Sequence, residues 1–299
     1  MSSKVKGYLA SISGASFWGV SGICSQYFFE NYEVSSAQVT VIRMIFTALI
    51  LLPILRVQKG KEIYAIFNNR HDTFILVVFS IFGLLFCQYA YIAAIYHSNA
   101  PTATVIQYLG PILILIYLCF KRKSLPNLQE SISMALAIGG VFLLVTHGNI
   151  DSLAISPEGI FWGFNAALGL ALYMLIPLRL ISRYGVLTVI GYAMGIGGVA
   201  LMVFNRVDIF SLHLDLAGYV AALIIVVVGT LGGFGLYLYG SSLVGAMDAS
   251  MLGSFEPLTS LVLSVLIFDL DFIALDYLGF AMVLATIFIL AYKPEKKVS

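Results

Sequence analysis

Long apolar runs separated by short polar segments are the feature that most limits what this chain can fold into. Runs of about 17–25 apolar residues match an α-helix that crosses a hydrocarbon core about 30 Å thick. Only 10% of the 299 residues are charged, whereas a soluble domain carries roughly 25%. The sequence therefore predicts an all-α integral membrane protein with no separate soluble domain.

Ten apolar runs have the length of a membrane-spanning helix. The first follows Lys4 and Lys6 in the manner of a signal peptide, but it continues to about Phe29, so we interpret it as a transmembrane helix. We place the ten helices, called spans 1 to 10, at 7–29, 36–55, 73–96, 99–120, 130–147, 157–177, 187–204, 216–240, 246–268 and 275–292.

Lysine and arginine are concentrated in alternate connections between these spans. If the N-terminus is cytoplasmic, the inside segments contain 14 of the 16 basic residues; only Arg206 lies in an outside loop and Arg43 lies within a span. Cytoplasmic loops carry such an excess, so both termini are predicted to be cytoplasmic and the protein to lie in the cell membrane. The inside set is Lys4, Lys6, Arg56, Lys59, Lys61, Arg70, Lys121, Arg122, Lys123, Arg179, Arg183, Lys293, Lys296 and Lys297.

The two halves of the chain share a pattern at a nearly constant offset. Phe17-Trp18-Gly19 recurs as Phe161-Trp162-Gly163, 144 residues later. Four further pairs are separated by 146 residues: Tyr91 and Tyr237, Ala100 and Ala246, Ala103 and Ala249, Pro111 and Pro257.

We interpret 1–150 and 151–299 as two five-helix repeats of one membrane domain. Because five is odd, the second repeat enters the membrane from the opposite side. This inverted architecture is typical of secondary transporters, whose substrate site lies between the halves near the midplane.

These features together resemble the EamA branch of the drug/metabolite transporter superfamily. The resemblance rests on ten spans, duplicated halves, the Phe-Trp-Gly starts of spans 1 and 6, and the small-residue run that ends in Glu256-Pro257. It implies a secondary carrier without a cofactor that exports amino acids, related metabolites or drugs.

Glu256 is the main candidate for substrate contact. It lies ten residues after Ala246, or about 15 Å along a helix and about half of the hydrocarbon core. Its repeat counterpart is Gly110, so only one half carries the carboxylate. Such a group suits a substrate amine or a coupling proton, and a purely structural role is the alternative. Helical spacing puts it on one face with Ala246, Ala249, Gly253, Ser260 and Ser264.

Pro111 and Pro257 are predicted to kink spans 4 and 9. Pro257 has no amide hydrogen for the carbonyl of Gly253, so this carbonyl becomes available as a hydrogen-bond acceptor.

Arg43 is the second charge inside a span, and its repeat counterpart is Gly191. Three roles remain open for it: pairing with Glu256, neutralising a substrate carboxylate, or extending toward the outer headgroups. Further candidates for the substrate cavity are polar or aromatic residues within spans, each of which packing or interhelical hydrogen bonding would also explain. They are Gln107, Asn165, Trp18, Tyr91, Tyr237 and Ser260.

The predicted function is a secondary transporter that exports small metabolites such as amino acids. A drug or nucleotide-sugar carrier on the same fold is the alternative. A lipid-modifying enzyme, suggested only by Asp269-Leu270-Asp271, is less favoured.

The expected partners are a small-molecule substrate and membrane lipid. A net charge of +1 disfavours nucleic acid. Histidine and cysteine spacings predict no metal site, and no phosphate-binding loop supports ATP hydrolysis. Coupling to a proton, and a monomer or a homodimer, are left open.

Overall fold

The computed structural model describes residues 3–149 and 153–291, and every regular element in these ranges is a helix. The first half contains α1 (Ser3–Asn31), α2 (Ser36–Lys59), α3 (Arg70–Val78), α4 (Phe86–His97), α5 (Ala100–Gln107), α6 (Gly110–Arg122) and α7 (Leu128–Thr146). The second half contains α8 (Pro157–Leu175), α9 (Leu178–Tyr184), α10 (Val186–Phe204), α11 (Leu216–Leu223), α12 (Gly233–Val244), α13 (Ala246–Leu252), α14 (Phe255–Phe268) and α15 (Ala274–Ala291).

Several sequence predictions fall outside the described residues. They are the boundary between residues 150 and 151, the last residue of span 10, the basic residues Lys293, Lys296 and Lys297, and the side chain of Ala246. The division into 1–150 and 151–299 and the cytoplasmic position of both termini stay predictions.

Within the described chain, eight helical runs are long and apolar enough to cross a membrane by length and composition. A shorter apolar helix follows at Ala274–Leu290, and α1 adds a helix of 29 residues. The all-helical membrane fold is therefore confirmed, whereas the count of ten spans stays a prediction.

The two halves interlock instead of packing as separate bundles. Helix α1 packs on α12 and α14 of the second half, and α8 packs in the equivalent way on α4, α5 and α6 of the first half. Helices α2 and α10 pair across the halves, as do α7 and α15. Glycine allows the closest of these approaches, since a Cβ atom at Gly19 would lie 2.6 Å from the carbonyl oxygen of Glu256.

Four of the predicted continuous spans are interrupted or distorted. Span 4 breaks between α5 and α6 at residues 108–109, and span 9 breaks between α13 and α14 at residues 253–254. Pro111 and Pro257 lie in the first turns of α6 and α14, where a missing amide hydrogen costs no helical hydrogen bond.

Spans 3 and 8 contain π-helical segments at Phe79–Leu85 and Ile224–Gly232. The same irregularities thus recur in the two halves, and π segments are frequent at functional sites.

Candidate functional site

The break in span 9 places Glu256 in the interior, between helices of both halves. Glu256 lies in the first turn of α14, where the positive end of the helix dipole favours an anion. Its side chain is partly accessible, whereas Pro257 and Ser260 beside it are buried. Charged side chains within membrane-spanning segments almost always face the interior of the bundle or a water-filled cavity and not lipid.

Two tyrosines, one from each half, satisfy carbonyl groups at the break. The Tyr108 hydroxyl donates to the carbonyl of Gly253 at 2.9 Å and lies 3.5 Å from the Glu256 carboxylate. The Tyr237 hydroxyl donates to the carbonyl of Ala249 at 2.8 Å. The acceptor that Pro257 leaves at Gly253 is therefore used by the opposite half of the molecule.

The position of Arg43 corrects one of the alternatives drawn from the sequence. Its side chain does not extend toward headgroups, because the residue is only 5% exposed. Its Nε donates to the Thr230 hydroxyl at 3.2 Å, and its Nη1 has no hydrogen-bond partner among the described residues.

The second alternative, a direct pair with Glu256, also fails within the described chain. Arg43 and Glu256 interact electrostatically, but no ion pair within 4.0 Å joins them. Neutralisation of a substrate carboxylate stays a prediction for Arg43, beside the structural role that its hydrogen bond to Thr230 gives it.

Spans 3 and 4 contribute the remaining side chains around Arg43 and Glu256. We call the whole group of side chains around these two charges the central cluster. Tyr91, which is 5% exposed, shares a hydrogen bond of 2.9 Å with the Thr104 hydroxyl. Gln107 is partly accessible, and its amide nitrogen lies 3.6 Å from the sulfur of Cys87. Cys87 and Tyr91 lie near both Arg43 and Glu256, so all four side chains belong to one region.

Trp18 contacts the same region from α1. Its ring packs on Phe234 and Tyr237 at centroid distances of 5.3 and 4.8 Å, and its buried Nε1 has no hydrogen-bond partner among the described residues. Ser260 is fully buried on α14 with a hydroxyl that likewise has no partner in this part of the chain.

Asn165 is not brought into this cluster by any contact of the described residues. Its amide nitrogen donates to the carbonyl of Phe161, one turn earlier on α8, at 2.8 Å. A polar side chain that bonds its own helix satisfies its donor locally. The sequence prediction placed Asn165 with the other candidates, and the structure instead places it beside Phe161.

Sequence reasoning missed three residues of the cluster: Tyr108, Cys87 and Thr230. The sequence pattern proposes none of the three for the site. Tyr108 lies three residues before Pro111 in span 4, so its position next to the predicted kink was a usable signal. Thr230 lies 187 residues from Arg43, and no local pattern connects the two.

Comparison with known proteins gives consistent results at the level of family and fold. The profile of the EamA-like transporter family matches the chain twice, over residues 5–146 and 157–292. An uncharacterized inner membrane transporter of Salmonella typhimurium, YicL, is 37% identical over 299 residues, which is 99% of each chain. An uncharacterized transporter of Archaeoglobus fulgidus is 24% identical over 262 residues, or 88% of this chain and 89% of its own.

A solved crystal structure shares the fold. It aligns with 95% of this chain and 96% of its own, with a TM-score of 0.62 and 15% sequence identity. The resemblance to the drug/metabolite transporters that the sequence motifs indicated is thereby confirmed.

Proposed function

The chain belongs to the EamA-like transporter family, and on this premise we propose that it is a secondary transporter that exports small metabolites such as amino acids. Transport proceeds by alternating access across the cell membrane, with the two halves exchanging conformations around a central site. The inner-membrane name of the Salmonella relative supports this location.

The observation that carries the proposal is a pair of opposite charges in the interior that do not form an ion pair with each other. Arg43 lies on α2 of the first half against Thr230, and Glu256 lies on α14 of the second half next to Tyr108. A buried charge is costly unless something compensates it. A substrate that carries both an ammonium and a carboxylate group compensates both.

The presence of one positive and one negative side chain also favours this proposal over its alternatives. Nucleotide sugars carry several negative charges and need a strongly basic site, whereas this cluster has one arginine and one glutamate. A drug carrier on the same fold remains the second candidate function. For a lipid-modifying enzyme, the described residues offer no group of three or more His, Cys, Asp or Glu side chains able to hold a metal.

The proposal is tested by reconstitution of the purified protein in liposomes. Amino acids and related metabolites are screened for counterflow, with and without a pH gradient. We expect counterflow of at least one zwitterionic solute above empty liposomes. The absence of counterflow by every small solute would overturn the transport proposal.

Proton coupling is tested with Glu256→Gln, which keeps the shape of the side chain and removes its charge. The groups facing Glu256 are Arg43, Cys87, Tyr91, Tyr108 and Tyr237.

If Glu256 carries the coupling proton, the variant binds substrate but loses acceleration by the pH gradient. The control is Glu62→Gln, an exposed carboxylate outside the cluster. Transport by Glu256→Gln that equals wild type at every pH contradicts this role.

A further inference from the structure

The contact between Arg43 and Thr230 joins the two halves through one hydrogen bond. Arg43 lies on α2 in the first half, and Thr230 lies in the π-helical segment Ile224–Gly232 of the second. Both residues are buried, at 5% and 0% exposure. The Nε of Arg43 donates to the Thr230 hydroxyl at 3.2 Å.

The π-helical segment orients the hydroxyl group of Thr230. The Thr230 O–H donates to the carbonyl of Ile225, five residues earlier, at 2.8 Å. A hydroxyl has one proton, so this bond leaves only its lone pairs for Arg43. Thr230 can therefore act only as an acceptor toward the guanidinium.

Fixing Nε also fixes the direction of the rest of the guanidinium, because this group is planar. Nη1 is buried and has no hydrogen-bond partner among the described residues. Glu256 interacts with Arg43 electrostatically but is not within 4.0 Å of it. The guanidinium is thus a planar donor group whose Nη1 hydrogens are not hydrogen-bonded and which no carboxylate of the described residues pairs with directly. Such a group suits a carboxylate ligand.

The pair also departs from the internal repeat. The counterpart of Arg43 is Gly191, and an offset of 146 residues places Leu84 opposite Thr230. Glu256 departs from it in the same way, with Gly110 as its counterpart. Features required by the architecture occur in both halves, so polar groups present in only one half are candidates for substrate recognition.

We propose that Arg43 binds the carboxylate group of the substrate and that Thr230 is the positioning residue that orients its guanidinium. This inference rests on the proposed transport function and specifies its substrate class as amino acids with a free carboxylate. Glu256 then faces the ammonium group of the same substrate.

The test compares each amino acid with its own carboxamide, which keeps the side chain and the amine but removes the negative charge. L-Leucine, L-phenylalanine and L-threonine and their amides are used as competitors in liposome counterflow. The wild-type protein is expected to bind the acids at least about tenfold more tightly than the amides, because hydrogen bonds to a charged acceptor are stronger than those to a neutral one. Arg43→Gln should abolish this preference.

Thr230→Val removes the hydroxyl at nearly constant volume and should reduce the preference for acids by about two- to tenfold. Thr230→Ser should restore it, because serine supplies the same acceptor. The matched control is Thr286→Val on α15, where a buried hydroxyl donates only to the carbonyl of Val283 on its own helix. This control should leave the preference unchanged.

The possible outcomes separate this inference from the proposed function. Transport by Arg43→Gln with the full preference for acids overturns the carboxylate site and leaves the transport function standing. Full preference in Thr230→Val overturns the positioning role.

Thermal unfolding of the purified variants with the same ligands provides a second measurement. Stabilisation by acids that depends on Arg43 and Thr230, without counterflow of any solute, supports the site and overturns transport. If neither counterflow nor stabilisation is observed, both the carboxylate site and the transport function are overturned.

Discussion

At the scale of single residues, some interior residues occur in both halves and others break the internal symmetry. Pro111 and Pro257 occur in both halves, and each lies in the first turn of the helix that follows a break. Glu256 has a glycine as its counterpart, and so does Arg43. The shared prolines therefore shape the helices, and the two unmatched charges are the residues that we propose contact the substrate.

Tyr108 gives the first prediction at this scale. Tyr108→Phe removes the hydroxyl that donates to the carbonyl of Gly253 at 2.9 Å. This carbonyl keeps a second donor, the amide of Glu256 at 3.0 Å, so we expect a loss of about 1 kcal/mol in the free energy of unfolding. Thermal unfolding in detergent measures it.

The matched control is Tyr117→Phe on α6, where the residue is 48% exposed. Its stability should stay within about 0.5 kcal/mol of wild type. Equal effects of the two substitutions would show that the contact between Tyr108 and Gly253 does not stabilise the protein.

At the scale of elements, the breaks in spans 4 and 9 bring helix ends into the interior. An uninterrupted helix satisfies all of its interior backbone groups and offers nothing to a ligand. At the break at residues 253–254, the carbonyl of Gly253 accepts from the Tyr108 hydroxyl of the opposite half. The sequence predicted a kink at Pro257 and not a break between two helices, since local spacing carries no information on bonds to another half.

Pro257→Ala tests the importance of this break. Alanine supplies the amide hydrogen that proline lacks, so the carbonyl of Gly253 can accept an ordinary helical bond and α13 can continue into α14. We expect equal or greater thermal stability and counterflow reduced at least about threefold, which corresponds to roughly 0.7 kcal/mol on the transport barrier.

Pro53→Ala in α2 is the control, since this proline is exposed and lies away from the break. It should leave counterflow near the wild-type rate. Wild-type transport by Pro257→Ala would show that the interruption is dispensable.

At the scale of the whole molecule, ion pairs and hydrogen bonds join the halves at both ends of the bundle. On the side predicted to be cytoplasmic, Asp72 of α3 contacts Arg179, Arg183 and Tyr184 of α9 at 3.3, 2.8 and 2.7 Å. At the other end, Tyr32 donates to Asp215. Alternating access requires that such contacts break and form again during each cycle.

The cluster around Asp72 predicts an asymmetric response to substitution. The side chain of Asp72 has 0% exposure, whereas those of Arg179 and Arg183 are 56% and 53% exposed. Replacing both arginines with alanine leaves the Asp72 carboxylate without its counter-charges and with the Tyr184 hydroxyl as a remaining donor, which lowers the stability of the protein. Asp72→Asn leaves two arginines that water can solvate, so its loss of stability should be smaller.

Unfolding of both variants in detergent measures this difference. Arg122→Ala is the control, because Arg122 pairs with Glu130 inside the first half. Its loss of stability should be smaller than that of the double arginine variant, because an exposed pair contributes little. A larger loss in Asp72→Asn than in the double arginine variant contradicts the assignment of Asp72 as the buried partner.

The sequence by itself determined the membrane class, the approximate helix positions and Glu256 as the candidate that departs from the repeat. These properties depend on helix length, apolar periodicity and internal comparison, all of which are visible along the chain.

Only the tertiary structure decided that Arg43 is buried against Thr230, that Tyr108 donates to Gly253, and that Asp72 is paired with Arg183. The partners lie 187, 145 and 111 residues apart along the chain. Such contacts depend on the rotation of each helix and on where a helix is interrupted, and the packing of the two halves fixes both.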